Sequence, residues 1–129
     1  MGQPSALRRR LLDYALGLPG AYLDHPWGED VVKVRKKVFV FFGMPEGSAY
    51  PPGMTVKLVE SQPLAVAQPD VEPAGYNLGK SGWVSVRFTD EMPYEMLRVW
   101  IDESHRSIAP KSLVARLSER QSARITDPF

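Results

Sequence analysis

Apolar residues recur along this chain with two periods, one near 3.6 and one of two, and the switches between them predict its elements. Ser5 can cap a helix running to about Leu16, with Leu7, Leu11, Tyr14, Ala15 and Leu18 near one side and Arg8, Arg9 and Asp13 on the wet side. Gly17-Leu18-Pro19-Gly20 ends it, because glycine frees the backbone and proline cannot continue a helix. Period two then takes over. Ala21–Asp24 reads as a short strand, and Val31–Arg35 alternates with Val32 and Val34 inward and Lys33 and Arg35 outward. Lys36-Lys37 turns the chain into Val38–Phe42, which is apolar on both faces and so is expected at the centre of a sheet. So short a link makes the pair an antiparallel hairpin.

A turn-rich loop is expected over Met44–Pro52, then a strand over Met54–Val59 with Thr55 and Lys57 outward. Ser61 to Gln68 predicts a brief helix with Pro63 in its first turn, and Pro69–Gly75 a connector. Trp83–Phe88 alternates again: Val84, Val86 and Phe88 face one way, Trp83, Ser85 and Arg87 the other. A long helix follows from about Pro93, with Leu97, Trp100, Ile101, Ser104 and Ile108 buried and Arg98, Asp102, Glu103 and Arg106 wet. Pro110 breaks it, Lys111–Glu119 makes a last helix, and Gln121–Phe129 a frayed tail. Hairpin links and helices gathered near both ends imply an α+β fold: a two-layer domain, an antiparallel sheet with helices on one face and the other face open.

Composition changes this picture little. The 129 residues suit a single domain over 1–129, with 1–4 and 121–129 as flexible ends. The formal net charge of +1 means that affinity for nucleic acid must come from local placement of cations. With no cysteine there is no disulfide, thiolate nucleophile or zinc–cysteine site. The first residues lack an apolar signal core, Ala6 departs from the myristoylation pattern, and no apolar run reaches the roughly 20 residues that span a bilayer. A soluble, cytoplasmic protein is the expectation.

Candidate chemistry narrows quickly. Gly79-Lys80-Ser81 suggests a phosphate-binding loop, but Ala74 stands where the first glycine belongs, and the strand-like residues after it offer no helix N-terminus. His25, before Pro26, reads as a turn contact and His105 as a helix flank, with no nucleophile or orienting group placed beside either. Asp102 and Glu103 diverge by about 100° on a helix, a poor carboxylate pair. Asp24, Glu29 and Asp30 lack calcium-loop spacing. No catalytic residue, metal or cofactor is indicated.

What remains is the open sheet face. Lys33, Arg35, Lys57, Trp83 and Arg87 share it by alternation, with Lys80 at its rim. Cations for phosphates plus one indole as a stacking platform make a workable nucleic-acid surface, weak and strongly salt-dependent. The plainer reading is that exposed lysine and arginine serve solubility and Trp83 packs under a loop. The same face, with Tyr22, Trp27 and Tyr76 nearby, also suits a protein or peptide partner.

The segments Leu18-Pro19-Gly20, His25-Pro26-Trp27-Gly28, Tyr76-Asn77-Leu78-Gly79-Lys80-Ser81-Gly82-Trp83-Val84 and Trp100-Ile101-Asp102-Glu103-Ser104 resemble the MmcQ/YjbR family of small bacterial proteins. The likeness runs from about Ser5 to Leu117; His105 departs from it, standing where the family pattern has tyrosine before Arg106. It implies a CyaY-like or secretion-chaperone-like fold and a DNA-binding role, without catalytic residues. The sequence expectation is thus a non-enzymatic monomer or weak dimer that binds DNA through its basic, aromatic sheet face, with a protein or peptide module as the alternative.

Overall fold

The computed structural model describes residues 3–44, 51–75 and 78–111. Helix α1 (Gln3–Leu16) leads into strands β1 (Ala21–Asp24), β2 (Asp30–Val34), β3 (Lys37–Gly43) and β4 (Gly53–Lys57). A short α2 (Gln62–Val66), strand β5 (Val71–Pro73), a 3₁₀ turn (Leu78–Ser81), β6 (Trp83–Arg87) and α3 (Tyr94–Ile108) follow. The strands form one antiparallel sheet in the order β1-β2-β3-β4-β6-β5.

Alternation sorts the two faces as expected. Val32, Val34, Met54, Val56, Val84 and Val86 are buried in one core with Leu7, Leu11 and Ala15 of α1, Ala65 of α2, and Leu97, Trp100 and Ile101 of α3. All three helices therefore cover the same side. Each such fully buried aliphatic or aromatic side chain is worth roughly 1.5–3 kcal/mol relative to exposure.

Strand β3 departs from simple alternation. Its register against β2 shifts twice, so Phe42 and Phe39 are extra residues with no β2 partner. The bulges turn Phe39, Val40 and Phe42 all toward the helices, while Phe41, opposite Thr55, stays on the open face. A run apolar at every position thus needs cover on only one side.

The β2–β3 hairpin turns through Arg35 and Lys36, one residue earlier than the Lys36-Lys37 expected, and Arg35 belongs to the turn and not to β2. The connector Pro69–Gly75 contains edge strand β5, whose brevity and proline hide it; an edge position tolerates Pro73 because one side of the strand needs no N–H. Of the loop expected over 44–52, residues 45–50 lie outside the described residues, as does the last helix beyond Lys111. No described helix is long and apolar enough to cross a membrane.

Four residues expected in water or on a helix flank are buried instead: Arg8, Asp102, Glu103 and His105. Periodicity misses them because a polar group enters a core whenever partners are provided there. Arg8 donates to Asp30 at 2.8 Å and to the Phe42 carbonyl at 3.3 Å, tying α1 to the ends of β2 and β3. Asp102 accepts from Tyr14 and, at 3.1 Å, from Arg98, joining α3 to α1. Burial, then the hydrogen bond to Asp102, pushes the Tyr14 phenol up to about 12. Burial also raises the Asp102 carboxyl, against the pull of Tyr14 and Arg98.

Glu103 receives the Glu60 and Ser61 backbone N–H groups at 2.9 and 3.0 Å and the Ser61 hydroxyl at 2.6 Å. Burial raises this carboxyl, but those hydrogen bonds outweigh it and hold the group below its usual range. Ser61 therefore spends its hydroxyl on α3 and not on capping α2. Ser104 accepts the Lys57 N–H at 2.9 Å and donates to the Phe39 carbonyl at 2.5 Å. Its hydroxyl stands between β3 and β4 where the Phe39 bulge interrupts their ladder. His105 Nε2 lies 2.9 Å from the Pro19 carbonyl, so Nε2 carries the proton. Burial holds this imidazole neutral, with its ring edge-on to Phe39. The Asp-Glu-Ser-His run on α3 is thus structural: Asp102 holds α1, Glu103 the turn before α2, Ser104 the β3–β4 join and His105 the turn after α1.

Candidate functional site

The face without helices carries two parallel rows of side chains. One row crosses all six strands by direct pairing: Asp24, Val31, Phe41, Thr55, Ser85 and Glu72. The next row, nearer the β2–β3 turn, holds Tyr22, Lys33 and Val38 on β1–β3, then Lys57 and Trp83 on β4 and β6. Side chains directly opposite one another on one face touch, so each row behaves as a stripe.

The expected residues fall as follows. Lys33, Lys57 and Trp83 share the second row. Lys33 and Lys57 lie two strands apart, about 10 Å at the usual strand spacing. Arg35 sits beyond the row, in the turn, with φ of 51°. Lys80 is exposed in the 3₁₀ turn that feeds β6, at the same end of the sheet. Arg87 is on the same face but four residues from Trp83, about 13 Å along the strand, and beside Asp70 and Glu72. It does not join the others.

Two of these residues differ in state from the expectation. Trp83 is only 8% exposed, and its ring meets Phe41 edge-on at 5.6 Å between centroids. The indole is a wall of the face, and its surface is closed to a stacking base. Lys33 Nζ lies 2.7 Å from Asp24, and this hydrogen bond raises the lysine and lowers the carboxyl from their ordinary values. Lys33 is already neutralised in part.

Two cations escaped the alternation argument. The pattern marks Lys36 and Lys37 only as turn residues, yet both are exposed beside Arg35. The signal was the uninterrupted Arg-Lys-Lys run itself. Arg35, Lys36, Lys37, Lys57 and Lys80 make no side-chain ion pair with any other described residue, so five uncompensated positive charges share one end of the sheet. Arg35 and Lys36 both have positive φ, 51° and 70°, as the two central residues of a two-residue hairpin loop. Such a loop normally takes Asn-Gly, because a β-carbon disfavours this conformation. Two long cations in its place work against local stability.

The motif that suggested a phosphate loop has another use. A β-carbon at Gly79 would stand 2.9 Å from the Ala74 carbonyl oxygen. Gly82, at φ of 94°, leaves its carbonyl to accept the Leu58 N–H at 2.9 Å. These glycines let the turn lie against β5 and the end of β4. The carboxylates at the β1–β2 turn, at the far end of those strands from Arg35 and Lys36, are also occupied: Asp30 pairs with Arg8 and lies 2.9 Å from His25 Nδ1, and Asp24 holds Lys33.

The YjbR family model matches residues 16–107. The chain belongs to the YjbR family. The match takes in every described strand and the Asp-Glu-Ser-His run of this YjbR protein. No curated protein matches it. Among solved structures, the crystal structure of Deinococcus radiodurans protein DR2400, with family-model domain DUF419, is similar, with a TM-score of 0.62 at 23% identity. The similarity covers 75% of this chain and 74% of that one, and it concerns the fold.

Proposed function

We propose that this YjbR protein is a binding protein without catalytic activity, that its ligand is nucleic acid, with DNA first, and that it grips the phosphate backbone with the cationic end of its open sheet. The observation that carries the reading is the clustering of Lys57 and Lys80 with the turn cations Arg35, Lys36 and Lys37 at one end of the sheet, where its face free of described helices ends, in a protein of net charge only +1; Lys37, paired with the interior Val34, leaves the sheet on the helix side of that end. With Trp83 closed to stacking, the contact is electrostatic and sequence-tolerant. Fluorescence anisotropy with labelled single- and double-stranded oligonucleotides tests it. Five phosphate contacts give a slope of about −4.5 in log affinity against log salt on duplex DNA, a loss of about 500-fold between 50 and 200 mM. Lys37→Glu with Lys57→Glu should weaken binding further. An affinity indifferent to salt and to both changes would refute the proposal.

A second reading, a protein or peptide interaction module, is favoured by the edge strand β1. Its outer side has no partner strand among the described residues, and Tyr22 and Leu23 are 41% and 39% exposed, with Trp27 83% exposed nearby. Such an edge can accept an added strand. That mode predicts binding insensitive to salt and abolished by a proline at Leu23.

A further inference from the structure

The opposite end of the same face carries different chemistry. A cavity of about 770 Å³ lies there, within the range of small-molecule sites. Phe41, Thr55 and Ser85 form its floor, with Met44, Pro51 and Pro52 beside them. β3, β4 and β6 are interior strands whose main-chain groups point along the sheet toward one another, so the floor offers a ring and two hydroxyls 3.3 Å apart. Carboxylates stand at both ends, Glu29 just ahead of β2 and Asp70 and Glu72 at β5. Four strand steps separate these ends, about 19 Å of backbone. None of the three makes an ion pair with another described residue, and Arg87 is the one cation among the lining residues, leaving a net charge of two negative.

We propose that this cavity binds a small linear organic polycation with apolar stretches between its charges, of which an aliphatic triamine is a simple case. Its terminal ammonium groups would meet Glu29 at one end and Asp70 and Glu72 at the other. Its methylenes would lie across Phe41, and the Thr55–Ser85 pair would accept from an inner amine. Charge and floor select this class together. An anionic ligand meets net repulsion, and a peptide brings amide groups onto a floor with few free partners, which is costly. The inference is independent of nucleic-acid binding, because it concerns the acidic end of the sheet.

Calorimetry on the full chain, without nucleic acid, tests it with a linear triamine, a neutral diol of matched length, Mg²⁺, and a short lysine-containing peptide. The triamine should bind at least about tenfold more tightly than each of the others, the difference that one charge-assisted contact supplies. Glu29→Gln and Glu72→Gln should each weaken it by about tenfold, with melting temperatures unchanged because both side chains reach solvent. Equal binding of Mg²⁺ would reduce the site to diffuse charge and overturn the proposal. Tighter binding of the peptide, or triamine affinity untouched in both variants, would overturn it as well. Asp70→Asn gives an independent reading should either variant fail to fold.

Discussion

Replacing Arg35 by Asn and Lys36 by Gly should make the protein more stable and a poorer ligand for nucleic acid at once. Both positions hold positive φ in a two-residue hairpin loop, and neither side chain has a hydrogen bond or ion pair among the described residues. For ordinary residues that conformation costs about 1–2 kcal/mol each, and Asn-Gly relieves much of it. The expected gain is about 1–2 kcal/mol, or about 3–6 °C in melting temperature for a domain of this size. Two fewer phosphate contacts make the salt slope shallower by about 1.8, so the loss between 50 and 200 mM shrinks to about 40-fold. Thermal unfolding and anisotropy on one preparation read both quantities. Opposite signs rule out unfolding as the cause of weaker binding. A stabler variant with unchanged affinity and slope would remove the hairpin tip from the interface, and a less stable one would refute the strain argument.

Three further outcomes follow from the core. Ser104→Ala strands the Phe39 carbonyl and the Lys57 N–H in a buried place and should cost about 1–3 kcal/mol in denaturant unfolding; a neutral effect would mean that the strands close directly. Trp100→Ala should cost about 3–5 kcal/mol, given its burial in the central cluster, and an unchanged melting temperature would contradict the packing of α3. The His105 imidazole is held below 6.5 in the folded state, so below that pH the unfolded chain takes up a proton that the folded one resists. Stability should therefore fall as pH drops from about 6.5, and His105→Gln should flatten that part of the profile; a profile identical to the parent protein's would count against a buried neutral histidine.

Most of the architecture was legible because β2, β4 and β6 obey an inside–outside code, with Val32, Val34, Val56, Val84 and Val86 all interior, while the bulged β3 does not. The code failed wherever a polar side chain had a specific partner far away in sequence. Glu103 reaches Ser61, Ser104 reaches Phe39 and Lys57, and Arg8 reaches Asp30. Nothing local announces such a pairing. The candidate face shows the same limit. Its side of the sheet was readable for Lys33, Lys57 and Arg87, but not the pairing of Lys33 with Asp24, the closing of Trp83 against Phe41, or the acidic surroundings of Arg87. Alternation gives a direction for each side chain and no distance along the strand.

The join between β3 and β4 has a mechanical consequence. Those strands share two paired positions, Val40 with Val56 and Phe41 with Thr55, before a serine hydroxyl takes over. The sheet divides there into two sets of three strands joined by a short ladder, with Arg35–Lys37 on one side of the join and Lys57 and Lys80 on the other. Helix α3, packed on both β3 and β4, braces the join where hydrogen bonds between the strands are few. The Lys57 amide, bonded to a side chain and not to a neighbouring strand, should be the first in the sheet's interior to exchange its hydrogen.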